Sequence, residues 1–159
     1  MAKCIIIPHD MNNPLARTEL SSLTDYQMAV GGYVESITVR DPGIALFCDE
    51  DGKEKQLPIN RRATALWWLF EPAIRGHDLI VGDAILVGPP DLLGDTGDVP
   101  EDLATFMIDG EKYKVEVLHD IGGWIASHTR FDDYFYAAMF AMRIVERTGY
   151  RATVRVVPA

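Results

Sequence analysis

Aliphatic residues come in short runs along this chain, and the polar residues between them separate strands from helices. Residues 4–7 form an apolar run closed by Pro8 and read as a strand. His9 to Arg17 carries Asn12, Asn13 and Pro14 and reads as a loop. A helix is expected from Ser21 or Ser22, where Ser22 and Asp25 make a capping box with Asp in place of Glu. Leu23, Tyr26 and Val30 give it a partial apolar stripe, and Gly31-Gly32 ends it. Residues 33–40 alternate as a strand, Asp41-Pro42-Gly43 turns the chain, and residues 44–48 form another strand. Asp49-Glu50-Asp51-Gly52 reads as a hairpin loop with residues 53–57 returning; it has the acids of a calcium loop but not the spacing to a terminal Glu.

Asn60 is placed to cap a helix over residues 61–70, where Ala63, Leu66, Trp67 and Phe70 fall on one face. Residues 79–81 and 84–87 are short strand runs around Gly82-Asp83. Residues 89–102 hold five acids and no base among prolines and glycines, the composition of a linker. Beyond it, residues 106–108 and 112–118 flank Asp109-Gly110 as a hairpin, and residues 123–127 make a third strand. A helix opens at Asp132 or Asp133 and reaches Thr148, with residues 151–157 as a final strand. Tyr134, Phe135 and Tyr136 are consecutive, so at least one must leave the core. The fold expected is α+β: a small mixed sheet with two helices over residues 1–90, an acidic linker over 91–105, and a ββαβ unit over 106–159.

Charge and composition narrow the function classes. The 159 residues carry a net charge of −9, of which −6 falls in residues 41–98. Such a surface repels phosphate backbones, so direct duplex nucleic-acid binding is not expected. Nearly half the residues are hydrophobic, enough for a sizeable core, yet no run reaches membrane-spanning length. No membrane association is expected. Cys4 and Cys48 sit singly in strand runs and read as reduced, buried thiols of a cytoplasmic protein.

Catalytic and metal signatures are sparse. Three histidines precede an aspartate, in His9-Asp10, His77-Asp78 and His119-Asp120, but all fall in loops or strand ends. No metal site, cofactor or catalytic set is assigned, since no phosphate-cradling loop, nucleophile elbow or zinc pattern occurs. The Asn60-Arg61-Arg62 start of the second helix is unusual, because cations at a helix N-terminus oppose its dipole. Trp68 lies off that helix's buried face and, beside arginine, suits a binding surface. The competing reading pairs Arg61 with a nearby acid and buries both tryptophans.

Val30-Gly31-Gly32-Tyr33-Val34-Glu35, the hairpin at Asp49-Glu50-Asp51-Gly52-Lys53, Leu57-Pro58-Ile59-Asn60-Arg61-Arg62 and the run from Ile80 to Gly88 together carry a resemblance. Residues 3–104 resemble a family of small uncharacterised proteins of phages, plasmids and integrative elements of Gram-positive bacteria. The resemblance implies an accessory protein of a mobile element acting in the bacterial cytoplasm, and brings no activity with it. The expected function is a non-enzymatic binding protein that engages a host protein or a small anionic ligand. The alternatives are a small hydrolase or nucleotide-handling enzyme using the His-Asp pairs, and an acidic mimic of nucleic acid. The binding residues expected are Tyr33, Glu35, Asn60, Arg61 and Trp68, with Glu35 and Arg61 approaching each other and Tyr33 beside them.

Overall fold

A computed structural model describes residues 1–159. It is an α+β fold with four helices and two antiparallel sheets. The Cα framework groups into two compact units: residues 1–64 with 79–104, and residues 65–78 with 105–159.

The first unit is built on a five-stranded sheet. Its strands are β1 (Ala2–Ile7), β2 (Ala16–Leu20), β3 (Val34–Val39), β4 (Ile44–Asp49) and β5 (Ala84–Val87), in the order β2-β1-β5-β4-β3. β5 lies at the centre of the sheet and is buried along its whole length. Helix α1 (Leu23–Val30) packs on one face, where Tyr26 and Val30 meet Cys4, Ala45, Ile85 and Val87. Its start is the capping box read from the sequence: the Ser22 hydroxyl accepts from Asp25 N, and the Asp25 carboxylate accepts from Ser22 N. Gly31 ends the helix at φ 81°, a left-handed conformation that glycine adopts without cost. Gly32 is required for a different reason: a Cβ there would stand 2.7 Å from the Asp49 carboxylate and the Lys55 amine.

Three local expectations fail in this unit. Ala16 and Arg17, at the end of the stretch expected as loop, join residues 18–20, to which no element is assigned from the sequence, in the edge strand β2, pairing Thr18 with Cys4 and Arg17 with Ile5. Their outward side chains are polar, so the segment lacks an apolar signature. Residues 53–57 do not return as a strand. The segment 50–56 is a chain of turns folded over Asp49, which accepts from Asp51 N at 2.9 Å and from Lys55 Nζ at 2.6 Å. Val81 makes only an isolated bridge, to Ile59.

Two helices straddle the units: α2 (Arg61–Phe70) and α3 (Glu101–Asp109). α3 is a correction, because residues 106–108 were expected in a strand. Ala104 and Met107 are buried three apart, the helical spacing, and Glu101 and Asp102 favour the positive end of the helix dipole. Asp109-Gly110 therefore ends a helix instead of turning a hairpin.

The second unit carries the expected ββαβ order with the hairpin displaced: β6 (Tyr113–His119), β7 (Gly123–Phe131), α4 (Tyr134–Arg147) and β8 (Val154–Pro158). The sheet order is β7-β6-β8, and the hairpin turns at residues 120–122. Asp133 caps α4 by accepting from Phe135 N and Tyr136 N. Of the aromatic triplet, Tyr134 and Phe135 are buried and Tyr136 is exposed. A single 3-10 turn, Pro72–Ile74, follows α2, and Arg75 after it is buried.

Candidate functional site

An open pocket of about 550 Å³ lies on the α1 side of the five-stranded sheet. Its apolar wall is Leu20, Tyr26, Val34 and Phe47, and the Tyr26 and Phe47 rings meet edge to face at 5.3 Å. Burial pushes the Tyr26 phenol above its ordinary pKa, and its hydroxyl donates to Leu20 O at 3.3 Å. Ser21, Ser36 and Thr96 add hydroxyls, while exposed Met1 and Leu23 extend the apolar surface outward. Asp91 and Asp95 bring two carboxylates, and no lysine, arginine or histidine lines the pocket. Asp91 is committed to its own loop, accepting from Leu93 N and Asp95 N at 2.9 Å each. The Asp95 carboxylate makes no hydrogen bond or ion pair. The loop is anchored below the pocket, where Lys3 N donates to the Asp98 carboxylate and Val99 N donates to Lys3 O.

A second polar cluster stands at the end of β1. Asn60 is fully buried and spends its whole amide on the fold. Its Nδ2 donates to Ile7 O at 2.8 Å and to Gly82 O at 2.9 Å, and its Oδ1 accepts from Ala63 N at 2.9 Å. Arg62 turns back to bind the carbonyl oxygens of Pro8, Asp10 and Asn13 at 2.6, 2.9 and 2.9 Å. Arg62, one of the two arginines that oppose the helix dipole, is thus a clamp on the loop after β1. His9 does not pair with its neighbour Asp10. Its Nδ1 lies 2.8 Å from Asp83 Oδ1, which also accepts from His9 N at 2.9 Å.

Of the five expected site residues, Tyr33, Glu35, Asn60 and Arg61 belong to the first unit and Trp68 to the second. Tyr33 is exposed just before β3, and its carbonyl oxygen accepts from Glu50 N. Glu35 is exposed on β3, opposite Cys48. Arg61 is exposed as the first residue of α2, and Glu35 and Arg61 make no ion pair. β3 is an edge strand, separated by β4 and β5 from the β1 end that holds Asn60. Trp68 is half-buried in the second unit, where its Nε1 donates to Asp78 O at 2.8 Å and its ring meets Tyr150 edge-on. No three His, Cys, Asp or Glu side chains gather as metal ligands. No helix is long and apolar enough to cross a membrane.

The family model for a domain of unknown function, DUF3846, matches residues 2–113. The chain belongs to that family. No curated protein and no solved structure matches it. The DUF3846 match takes in the five-stranded sheet, α1, α2, α3 and the pocket, and ends on Tyr113, the first residue of β6. Residues 114–159, with β7, α4 and β8, lie beyond it.

Proposed function

We propose that the protein is a non-enzymatic accessory binding protein of a phage or other mobile element of Gram-positive bacteria, acting in the host cytoplasm. Its binding site is the pocket beside α1, and its occupant is a segment of a host protein carrying a basic side chain between apolar ones. The observation that carries this reading is the pairing of an apolar wall with the unpartnered Asp95 carboxylate in a cavity that has no cation. A volume of about 550 Å³ falls among ordinary ligand pockets. Two carboxylates at its margin disfavour an anionic ligand there and favour a guanidinium or ammonium group. The mobile-element origin rests on the resemblance carried by Val30 to Glu35, Leu57 to Arg62 and Ile80 to Gly88.

The test is titration of the protein with a short leucine- and arginine-containing peptide, read by NMR shifts of Tyr26, Ser36 and Asp95. Binding at these positions, abolished by Ser36→Trp and weakened about tenfold by Asp95→Lys, is the expected result. Equal binding of a peptide with glutamate in place of arginine, or shifts away from the pocket, would sink the reading.

The contact between His9 and Asp83 favours a second reading, a small hydrolase. A carboxylate on Nδ1 fixes the imidazole tautomer and leaves Nε2 as the base. Hydrolysis of a p-nitrophenyl ester or phosphate that disappears in His9→Gln would support it, and activity unchanged by that substitution would remove it.

A further inference from the structure

The open face of the three-stranded sheet gathers cations within an otherwise acidic molecule. The second unit holds eight of the fifteen lysines and arginines of this acidic chain. Tyr113 on β6 meets Tyr134 of α4, so the alternate residues Lys114, Glu116 and Leu118 occupy the opposite face. Cross-strand partners share that face: Arg130 opposite Lys114, Trp124 opposite Leu118, and Arg155 of β8 opposite Glu116. Three cations, one carboxylate and one indole thus line a strip that runs about 13 Å from Lys114 to Leu118.

Two features of this strip ask for an anion. Lys114 and Arg130 stand directly opposite each other, and like charges so placed destabilise a sheet unless something neutralises them. The Lys114 amine has no hydrogen bond or ion pair. Arg130 spends only Nη1, on the carbonyl oxygens of Ser127 and Thr129. The one carboxylate, Glu116, is already matched by Arg155 Nε at 2.9 Å. At the other end the Arg155 guanidinium lies 4.0 Å over the Trp124 ring, with its side chain 47% exposed, which presents a flat cationic surface.

We infer that this face binds single-stranded nucleic acid, with phosphates between Lys114 and Arg130 and a base stacked on the Arg155–Trp124 pair. Flat cationic and aromatic groups in line with unpaired cations suit an unpaired strand, whose bases are free to stack. A duplex hides its bases and brings a denser charge toward a molecule of net charge −9. The strip lies wholly beyond the DUF3846 match, which ends at Tyr113, and the proposal is independent of the pocket beside α1.

The experiment is fluorescence anisotropy of a labelled twelve-nucleotide oligothymidine with the full chain, from about 50 mM salt upward. Binding should fall with salt at a log–log slope of about −1.4, as two neutralised phosphates of a single strand require. Lys114→Ala and Arg130→Ala should each reduce that slope by about 0.7. Lys114→Arg should retain it. Trp124→Leu should weaken binding about tenfold without altering the slope. Melting curves confirm that each variant is folded, and Arg143→Ala, on α4, serves as the folded control with unchanged binding. No binding at low salt, tighter binding of a duplex of equal length, equal competition by a polyglutamate peptide, or slopes unmoved by the Lys114 and Arg130 substitutions would each overturn the inference.

Discussion

The Asn60 side chain joins its own helix to the end of β1, donating to Ile7 O at 2.8 Å across 53 positions of sequence. With its second donated bond to Gly82 O and its cap on Ala63 N, it is the shared fastening of three segments. Asn60→Ala would leave two buried carbonyls and one helix-terminal N–H without their partner. The expected loss is about 2–4 kcal/mol, seen as a fall in Tm of about 5–15 °C. Asn60→Asp keeps the acceptor and loses the donors, so it should rescue little.

Arg75 performs a comparable task in the second unit. Its guanidinium is buried and donates to Trp68 O at 2.7 Å, Leu69 O at 3.4 Å and Ala152 O at 2.9 Å, closing the C-terminal end of α2. Burial lowers its pKa from the usual arginine value. A lysine lacks the planar fork that reaches three carbonyls at once. Arg75→Met and Arg75→Lys should both destabilise, the former by about 2–4 kcal/mol in urea unfolding. Trp68 fluorescence should report the loosened helix end.

The capping box of α1 carries a pH dependence. Asp25 lies below its ordinary pKa, held there first by the Ser21 and Ser22 backbone N–H groups. A carboxyl with a depressed folded-state pKa contributes stability above its unfolded value of 3.8, and this contribution is lost as pH falls through the lower folded value. Acid unfolding followed below about pH 4 should therefore be less steep in Asp25→Asn than in the parent chain. Equal slopes would mean that the cap is open in solution.

Cys4 is buried, and burial pushes its thiol up to about 11. At pH 8 roughly a thousandth of it is thiolate, and access is blocked as well. A thiol reagent at that pH should modify Cys4 slowly in the native protein and readily once it is unfolded, with peptide mapping to separate it from Cys48. Because the neutral form is favoured, this burial contributes stability below the unfolded value of 9.0, and the contribution is lost as pH rises toward 11.

What the sequence carried openly was what short-range chemistry decides. Ser22 with Asp25, Gly31, Asn60 and Asp133 all cap the helices they were expected to cap. The α+β class and the ββαβ order follow from strand and helix periodicities. The failures share a physical cause, which is that the deciding partner is distant. β2 is a strand because β1 lends it hydrogen bonds, not because residues 16–20 alternate clearly. Residues 106–108 are β-prone locally and helical because Ala104 and Met107 find a core. The pocket was not legible at all, since Asp95 belongs to an acidic stretch while Phe47 and Tyr26 belong to a strand and a helix. Nor could adjacency pair His9 with Asp83, 74 residues away.

The second unit is not one stretch of chain. Residues 65–78 belong with residues 105–159: Arg75 reaches Ala152 O, Trp68 lies against Tyr150, and Tyr150 also fills the space above Gly76. No single cut therefore separates the units. A fragment beginning at residue 105 would lack the segment that covers Tyr150. Recombination that exchanges the C-terminal residues between relatives would leave Arg75 and Trp68 facing a foreign surface. The tail and the segment 65–78 are thus expected to change together, as one inherited module written in two places.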